Sequence, residues 1–310
     1  MFMRNRPEQL EHCVCCPRKC GVNRLAGETG FCGQGSDPGI AHIGLHHGEE
    51  PPISGSHGSG TIFFTGCNLN CVFCQNFAIS QEFDKTSAAF YSPETLAQKM
   101  LGLQNLGAHN INLVSPSHYI YPIAESIQIA KEKGLRIPVV YNSNGYDSVD
   151  ALKDIRGLID IYLPDLKYMD NALSQRYSKA KDYADVIPNV LREMLDQVGH
   201  LTLDANGIAT RGLLVRHLVL PGQVENSKRC LDLLAGLSSD IFISIMSQYS
   251  PQYHASTCPE INRPLSPKEY DEVIDYADDL GLENAFVQEM ESRDHYLPDF
   301  GKEEPFGGNR

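Results

Sequence analysis

The sequence has little of what marks membrane, secreted or nucleic-acid-binding proteins. No run in it approaches the roughly 18 consecutive apolar residues that a membrane-spanning helix needs, and no apolar run follows the arginines of residues 1–7, so neither a membrane partner nor a secretory signal peptide is expected. Basic residues are scarce, since 26 Lys and Arg stand against 39 Asp and Glu and give a formal net charge of −13. The resulting field would repel nucleic acid and anionic lipid. The sequence therefore predicts a cytoplasmic protein without a nucleic-acid partner.

The 310 residues include enough apolar side chains, 42%, for a sizeable core, and this fraction excludes general disorder. Ten residues are cysteine, and they are clustered: five lie between Cys13 and Cys32 and three between Cys67 and Cys74. A disulfide framework belongs to short secreted chains, whereas clustered cysteines in a reducing compartment indicate metal sites or redox chemistry. Cys230 and Cys258 stand alone and are expected to be structural.

After residue 60 the sequence alternates short β-rich runs with longer amphipathic stretches. The predicted strands are Thr61–Phe64, Asn110–Val114, Ile137–Tyr141, Ile159–Leu163, Leu213–Leu220 and Ile241–Ile245. The predicted helices are Pro93–Asn105, Tyr121–Lys133, Ser148–Arg156, Asn171–Gln197 with a break or kink at Pro188, Asn226–Ala235 and Pro267–Leu280. Asn206-Gly207 predicts a hairpin turn between two of these units.

Repeated βα units imply a parallel sheet that is buried on both faces. Right-handed crossovers favour an α/β fold that curls into a partial (β/α)6 TIM-like barrel with functional groups at the carboxyl ends of the strands. A doubly wound open sheet remains the alternative. The predicted organisation is a loop-rich, cysteine- and glycine-rich segment over residues 1–60, a barrel over 61–290 and a C-terminal tail over 291–310, which is expected to be polar and mobile from Asp299 to Arg310.

The first predicted strand leads directly into Cys67-Asn68-Leu69-Asn70-Cys71-Val72-Phe73-Cys74-Gln75-Asn76. Chance would produce this C-x3-C-x2-C spacing with a probability of about one per cent, so the spacing is informative. Three thiolates on one loop can hold three irons of a cubane and leave the fourth iron open to a substrate or cofactor. A buried reduced trio, or a zinc site that borrows a distant histidine, is the alternative.

This loop resembles the cluster loop of the radical S-adenosylmethionine (SAM) superfamily. The resemblance rests on the cysteine spacing, on Phe73 just before the last cysteine and on Asn76 two residues after it. It implies a [4Fe-4S] cluster bound by Cys67, Cys71 and Cys74, whose open iron chelates the methionine amino and carboxylate groups of SAM. Reductive cleavage of SAM would then give a 5′-deoxyadenosyl radical that abstracts hydrogen from a substrate.

Further motifs are similar to those of pyruvate formate-lyase activating enzymes. They are Cys-Gln-Asn at the last ligand, Asn142-Ser143-Asn144-Gly145, Asp165-Leu166-Lys167 and Arg216-His217-Leu218-Val219-Leu220-Pro221-Gly222. By this resemblance the SAM-binding residues are Phe73, Asn76, Asn144, Asp165, Lys167 and Arg216. The family usually has a Gly-Gly-Glu turn that receives the SAM amino group, and this chain has Val114-Ser115-Pro116-Ser117-His118 there, so Ser115 or Ser117 is expected to supply hydroxyl or backbone acceptors instead.

The same resemblance implies partners. A glycyl-radical activase abstracts hydrogen from a glycine of a partner enzyme, so a protein or peptide substrate is expected. The electron donor would be a low-potential carrier such as flavodoxin or ferredoxin. Such carriers are acidic, so docking to a chain of charge −13 would require a local basic patch.

The N-terminal cysteines predict a second metal site. Cys13, Cys16, Cys20 and Cys32 form the candidate ligand set, with Cys15 left over. Their spacing resembles a zinc knuckle and equally an auxiliary iron–sulfur cluster, and both metals stay open. The nearby histidines, His42, His46, His47 and His57, are interpreted as polar loop residues.

Two other classes of function compete with the radical enzyme. One is a non-catalytic interaction protein stabilised by zinc at both cysteine groups. The other is a thiol–disulfide oxidoreductase that uses Cys71-x2-Cys74.

Overall fold

The structure is a computed structural model, and it describes residues 7–83, 89–290, 297–302 and 304–306. Its strands are β1 Gly39–His46, β2 Ser59–Phe64, β3 Ala89–Phe90, β4 Ile111–Val114, β5 Val139–Ser143, β6 Ile161–Pro164, β7 Thr202–Leu203, β8 Ala209–Leu218, β9 Phe242–Met246 and β10 Ala285–Val287. Its helices are α1 Pro7–Glu11, α2 Pro51–Ser54, α3 Phe77–Ser80, α4 Pro93–Asn105, α5 Ile120–Glu132, α6 Val149–Asp154, α7 Asn171–Ser178, α8 Tyr183–Val198, α9 Val224–Leu237 and α10 Pro267–Asp279.

The strand order confirms the partial barrel. Strands β2, β4, β5, β6, β8, β9 and β10 are neighbours in that order, and all of these pairs are parallel. Because the order never reverses, right-handed crossovers put the connecting helices on one face and leave the other face as the barrel interior. A doubly wound sheet requires a reversal of strand order. The sheet stays open, because β10 and β3 end the ladder without pairing to each other.

The N-terminal segment contributes more regular structure than the sequence predicts. Residues 12–38 are mainly loops, as expected, but the eight-residue strand β1 then pairs antiparallel with β2 and extends the sheet at its edge. Within β1 only Gly39 and Ile40 are buried, so its pattern lacks the continuous apolar run of the parallel strands.

The predicted fourth helix is two helices. Helix α7 ends before Lys179, which adopts a left-handed conformation with φ 57°, and α8 begins at Tyr183. Pro188 lies inside α8, so the prediction of a break at Pro188 is wrong about its position. A proline near the start of a helix removes a single backbone hydrogen bond, and the buried face of α8 compensates for that loss.

The barrel interior is divided into layers. At the amino ends of the strands, Ile53 of α2 packs against an apolar cluster that includes Val140, Ile161 and Leu214. Asn142, Asp165 and Arg216 follow these residues toward the carboxyl ends, and they form a polar layer. Every second side chain of a strand points to the same face of the sheet. The same strands therefore supply both the apolar cluster near their amino ends and the polar layer nearer their carboxyl ends.

The described part of the tail is packed rather than free. The rings of Phe300 and Phe306 lie 5.5 and 5.3 Å from that of Phe63, and Phe306 also contacts His46. The described residues of the tail therefore pack against the sheet, while the mobility of the tail stays a prediction, and 291–296, 303 and 307–310 lie outside the described residues. Within the described ranges, no helix is both long and apolar enough to cross a membrane.

The start of α10 yields a stability prediction. The Glu269 carboxylate accepts hydrogen bonds from Ser266, Gly222 and Arg263, and the bonds from Arg263 hold the pKa of this carboxyl well below its ordinary 4.5. A depressed folded-state pKa stabilises the fold above pH 4.5, and the stabilisation is lost as the pH falls below that value. We expect Glu269→Gln to lower the free energy of unfolding at pH 7 by about 1 kcal/mol. Thermal unfolding at pH 7 and pH 3.5 should show the difference shrinking at the lower pH.

The exposed Glu283, which accepts no such bonds from residues that the structure describes, provides the matched control. Glu283→Gln should unfold like the parent chain at both pH values. Equal stability of Glu269→Gln and the parent at pH 7 would contradict the prediction.

Candidate functional site

The three cysteines of the C-x3-C-x2-C loop lie together just beyond the carboxyl end of β2. Gly66 starts the loop with φ 73°, and a Cβ at this position would lie 2.7 Å from the carbonyl oxygen of Cys32. The loop is anchored to the end of α7, because the Asn70 N–H donates to Ser178 O and the Val72 N–H donates to Tyr177 O. Backbone packing on both sides therefore fixes where the thiols point.

Each of the three thiols has a polar neighbour at its sulfur. The Asn144 side chain donates to Cys67 Sγ at 3.3 Å, and the Ser178 hydroxyl donates to Cys71 Sγ at 3.0 Å. Cys74 Sγ and the Ser80 hydroxyl share a hydrogen bond of 3.3 Å. Sulfur that accepts hydrogen bonds is electronically suited to the thiolate state that iron requires.

Without a metal these thiols are protonated. Burial, together with the neighbouring thiols, raises the pKa of Cys67 to about 12. Burial also raises the pKa of Cys71 to about 11 and that of Cys74 above its ordinary value, although Lys167 opposes both shifts. Three thiolates in one partly buried loop repel each other, so a cationic centre has to compensate their charge.

The donor set fits an iron–sulfur cluster. Its members are three cysteine sulfurs, which are soft ligands, on one short loop. Each sulfur has a hydrogen-bonding partner nearby, and no histidine is among the three ligands. Within the described ranges, no three His, Cys, Asp or Glu side chains converge closely enough to hold a single metal ion.

The polar residues predicted at the strand ends meet around this loop. Asn144, after β5, also donates to the Asn68 side chain at 2.7 Å. Lys167, after β6, lies near Cys71 and forms an ion pair of 2.6 Å with Asp165. A Cβ at Gly145, where φ is 77°, would meet the Asp165 carbonyl oxygen, so glycine is required for this close approach.

Arg216 on β8 is the centre of the polar layer. Its Nε donates to Asp165 Oδ1 at 2.9 Å and its Nη2 donates to Asn142 Oδ1 at 2.7 Å. Two carboxylates that the sequence analysis did not assign to the site complete the network. Glu49 lies 3.3 Å from Arg216, and Glu50 lies 3.9 Å from it. Both come from the chain between β1 and α2, and their only signal in the sequence is an acidic pair ahead of Pro51-Pro52.

Burial and charge pairing determine the protonation of this network. Burial alone would lower the pKa of Arg216, but the surrounding carboxylates raise it above its ordinary value. Burial would raise the pKa of Asp165, and the two cations hold it below its ordinary value instead. Burial raises the pKa of Glu50 to about 7, since Arg216 offsets only part of the desolvation. The pair Asp165–Arg216 is therefore ionised at neutral pH.

The other predicted SAM contacts lie around the same loop but are differently placed. The Phe73 ring is buried in the core and packs edge-on against Tyr249, with 5.8 Å between ring centroids. Asn76 precedes α3 and its backbone lies near Cys74. Ser115 directly follows β4 and has φ 60°, and its N–H donates to Asn142 O at 2.8 Å. A non-glycine residue in this conformation is uncommon, and it lies where the sequence departs from the Gly-Gly-Glu turn.

The N-terminal cysteines also lie near one another. Cys13, Cys16, Cys20 and Cys32 interact electrostatically, and burial raises the pKa of Cys16 to about 12. The fifth thiol, Cys15, lies 3.6 Å from the guanidinium of the buried Arg24.

The predicted histidines do not form a site together. His42 and His46 lie on β1 against Phe306, whereas His57 stacks on His109 at the amino ends of β2 and β4. Sequence reasoning also missed Ser80 and Ser178, for which a single sequence offers no signal because their approach to the thiols depends on packing.

Among known proteins, the chain is 33% identical over 281 residues to the protein MJ0674 of Methanocaldococcus jannaschii, covering 88% of this chain and 76% of that one. It is 24% identical to MJ0808 of the same organism over 188 residues, which are 52% of this chain and 54% of the relative.

Two solved structures of SuiB from Streptococcus suis share the fold with a TM-score of 0.52. One is bound to S-adenosylmethionine, with 13% identity, and the other to its precursor peptide SuiA, with 12% identity. The matches cover 73% of this chain and 48% and 47% of SuiB, so this chain spans about half the length of that protein.

A model of the Radical SAM superfamily matches residues 61–234, which begin in β2 and end in α9 and contain the C-x3-C-x2-C loop and the strand ends around it. The match covers more than half of the 310 residues. The chain belongs to the radical SAM superfamily.

Proposed function

We propose that this protein is a radical SAM enzyme that holds a [4Fe-4S] cluster through Cys67, Cys71 and Cys74 and binds SAM beside it. The observation that carries the proposal is the arrangement of three partly buried thiols, each with a polar partner at its sulfur, next to the ion pair of Asp165 and Lys167. When bound, the reduced cluster would supply the electron that cleaves SAM to methionine and a hydrogen-abstracting 5′-deoxyadenosyl radical.

The residues around the loop suit a zwitterionic ligand. Lys167 and Arg216 offer fixed positive charge for a carboxylate, while Asp165 offers acceptors for an ammonium group. Ser115 presents its strained backbone at the neighbouring strand end, where it would receive the amino group. Since these side chains already hold one another in place, little ordering is required when the ligand binds.

The proposed substrate is a protein or peptide, with a glycine of a partner enzyme as the specific candidate. Support comes from the resemblance to activating enzymes in the motifs Asn142–Gly145, Asp165–Lys167 and Arg216–Gly222. SuiB, which has the same fold, has been solved with a bound precursor peptide. A cytoplasmic setting and a low-potential electron donor such as flavodoxin or ferredoxin belong to the same proposal.

The thiol–disulfide alternative is disfavoured by the protonation of the loop. An attacking cysteine needs a lowered pKa, whereas burial raises the pKa of both Cys71 and Cys74.

The four N-terminal cysteines are proposed as a second metal site, with zinc or an auxiliary iron–sulfur cluster as its occupant. The four thiols, all within the described part of the chain, lie near enough to influence one another electrostatically, but no three of them converge closely enough to hold a single ion, so binding of a metal would have to draw them together. Soft thiolate ligands suit both candidates.

Anaerobic reconstitution tests the main proposal. The reconstituted and chemically reduced protein should convert SAM to 5′-deoxyadenosine, measured by liquid chromatography, and show a cluster absorption band near 400 nm. Cys71→Ala should lose both signals because one iron loses its ligand. Cys258→Ala, which removes a thiol far along the chain, serves as the control and should retain them. The absence of 5′-deoxyadenosine, with the parent chain matching Cys71→Ala, would refute the proposal.

The Arg216 network yields a prediction about SAM affinity. Arg216→Lys keeps the charge but loses the planar guanidinium, whose separate N–H groups bind Asp165 and Asn142 at the same time. We therefore expect the dissociation constant for SAM to rise by about tenfold. Iron content should stay unchanged, because Arg216 does not contact a thiol. Arg211→Lys on the exposed part of the same strand is the control. An unchanged dissociation constant in equilibrium dialysis would contradict the proposed role.

The second metal site is tested by metal analysis. Cys16→Ala should lower the zinc or iron content by the amount of one site and leave 5′-deoxyadenosine formation measurable, because the ligands of the main cluster remain. The control is Cys15→Ala, which removes the leftover thiol. Equal metal content in the parent chain and Cys16→Ala would argue against the site.

A further inference from the structure

Four cations form a basic patch beside the C-x3-C-x2-C loop: Arg18, Lys19, Lys179 and Lys181. The Arg18 guanidinium links the first pair of cations, Arg18 and Lys19, to the second pair, Lys179 and Lys181, because its Nη1 donates to Lys179 O at 2.5 Å. Its Nε donates to Asn68 O in the cysteine loop at 2.9 Å. The three lysines are exposed.

The patch carries net positive charge on a strongly acidic chain. Over the ranges that the structure describes, no carboxylate forms an ion pair with any of its four cations, whereas the neighbouring Arg176 is paired with Glu260 at 2.8 Å. The adjacent Asp182 accepts a hydrogen bond from the Tyr146 hydroxyl. With a net charge of −13 on the whole chain, a local group of four unpaired cations is a distinct electrostatic feature.

The patch also lies close to the thiols. Lys179 directly follows Ser178, whose hydroxyl donates to Cys71 Sγ at 3.0 Å, and Arg18 contacts the loop between Cys67 and Cys71. Phe31, whose ring is 43% exposed, stacks on the Arg18 guanidinium at 3.6 Å. An apolar ring among cations offers a desolvated contact at the centre of a charged surface.

We propose that this patch is the docking surface for an acidic one-electron carrier protein, which reduces the thiol-bound cluster from this side. The inference rests on the proposed function. The step is balanced by the partner: its reduced cofactor loses one electron and the cluster gains one, with no bond made or broken. Charge complementarity favours such a partner, since an acidic carrier is repelled by the overall negative charge of the chain and attracted to this patch.

The experiment compares two charge-reversal variants with the same net charge. The patch variant is Lys179→Glu with Lys181→Glu, and the control variant is Lys133→Glu with Lys153→Glu, whose lysines are exposed near the ends of α5 and α6. The probe is an acidic flavodoxin. Its dissociation constant is measured in the oxidised form by fluorescence anisotropy, and the rate of cluster reduction by its hydroquinone is measured by anaerobic stopped flow.

At low ionic strength we expect the patch variant to raise the dissociation constant and lower the second-order reduction rate, each by at least about tenfold, with the difference shrinking at high salt. The control variant should behave like the parent. Photoreduced 5-deazariboflavin, a small neutral reductant, should reduce all three proteins at rates within about twofold, because it needs no charged docking surface.

Equal flavodoxin binding by the patch and control variants would overturn the docking surface, and so would tight binding of single-stranded RNA to the patch in preference to flavodoxin. Failure of the proposed function gives a different result. In that case 5-deazariboflavin yields no 5′-deoxyadenosine from any protein, while the binding measurement still decides the docking surface.

Discussion

The structure depends on one guanidinium in the barrel interior, whose side chain is only 16% exposed. Arg216 places a full positive charge inside the barrel, where an unpaired charge would be very costly. Asp165, Asn142 and Glu49 surround it from three different segments of the chain, all within 3.3 Å. Removing Asp165 or Glu49 would weaken the compensation of this charge, and removing Asn142 would leave a guanidinium N–H without its acceptor. The requirement to neutralise Arg216 therefore determines how β5, β6, β8 and the chain after β1 are positioned relative to one another.

This requirement makes the N-terminal segment part of the barrel. Glu49 and Glu50 reach the interior only because β1 pairs with β2 and brings the following residues to the amino ends of the parallel strands. At the opposite, carboxyl ends of the strands, the same segment packs against the C-x3-C-x2-C loop through Arg18 and the carbonyl of Cys32. The segment thus contacts the site from both ends of the barrel, and its cysteines are held close to the loop by packing.

The sequence predicts the βα units well, because buried parallel strands are continuous apolar runs and the helices begin at identifiable caps such as Ser92 and Ser266. The sequence predicts poorly those elements whose bounds depend on contacts with distant parts of the chain. Strand β1 has no apolar run, and the break between α7 and α8 depends on Lys179 rather than on Pro188. In the site, the cysteine spacing and the strand-end motifs identify the residues that meet. The partners of the thiols and of Arg216 are set by packing, which a single sequence does not encode locally.

The departure at Ser115 and the acidic pair Glu49–Glu50 are connected by electrostatics. A barrel that holds Arg216 and Lys167 in its polar layer needs more than the single carboxylate of Asp165 to balance them. The strand end at Ser115 carries no acidic side chain, so the additional carboxylates come from outside the βα repeats. Because burial raises the pKa of Glu50 to about 7, the net charge of this layer changes near neutral pH. The segment before the first parallel strand therefore sets the electrostatic balance of the site as well as its packing.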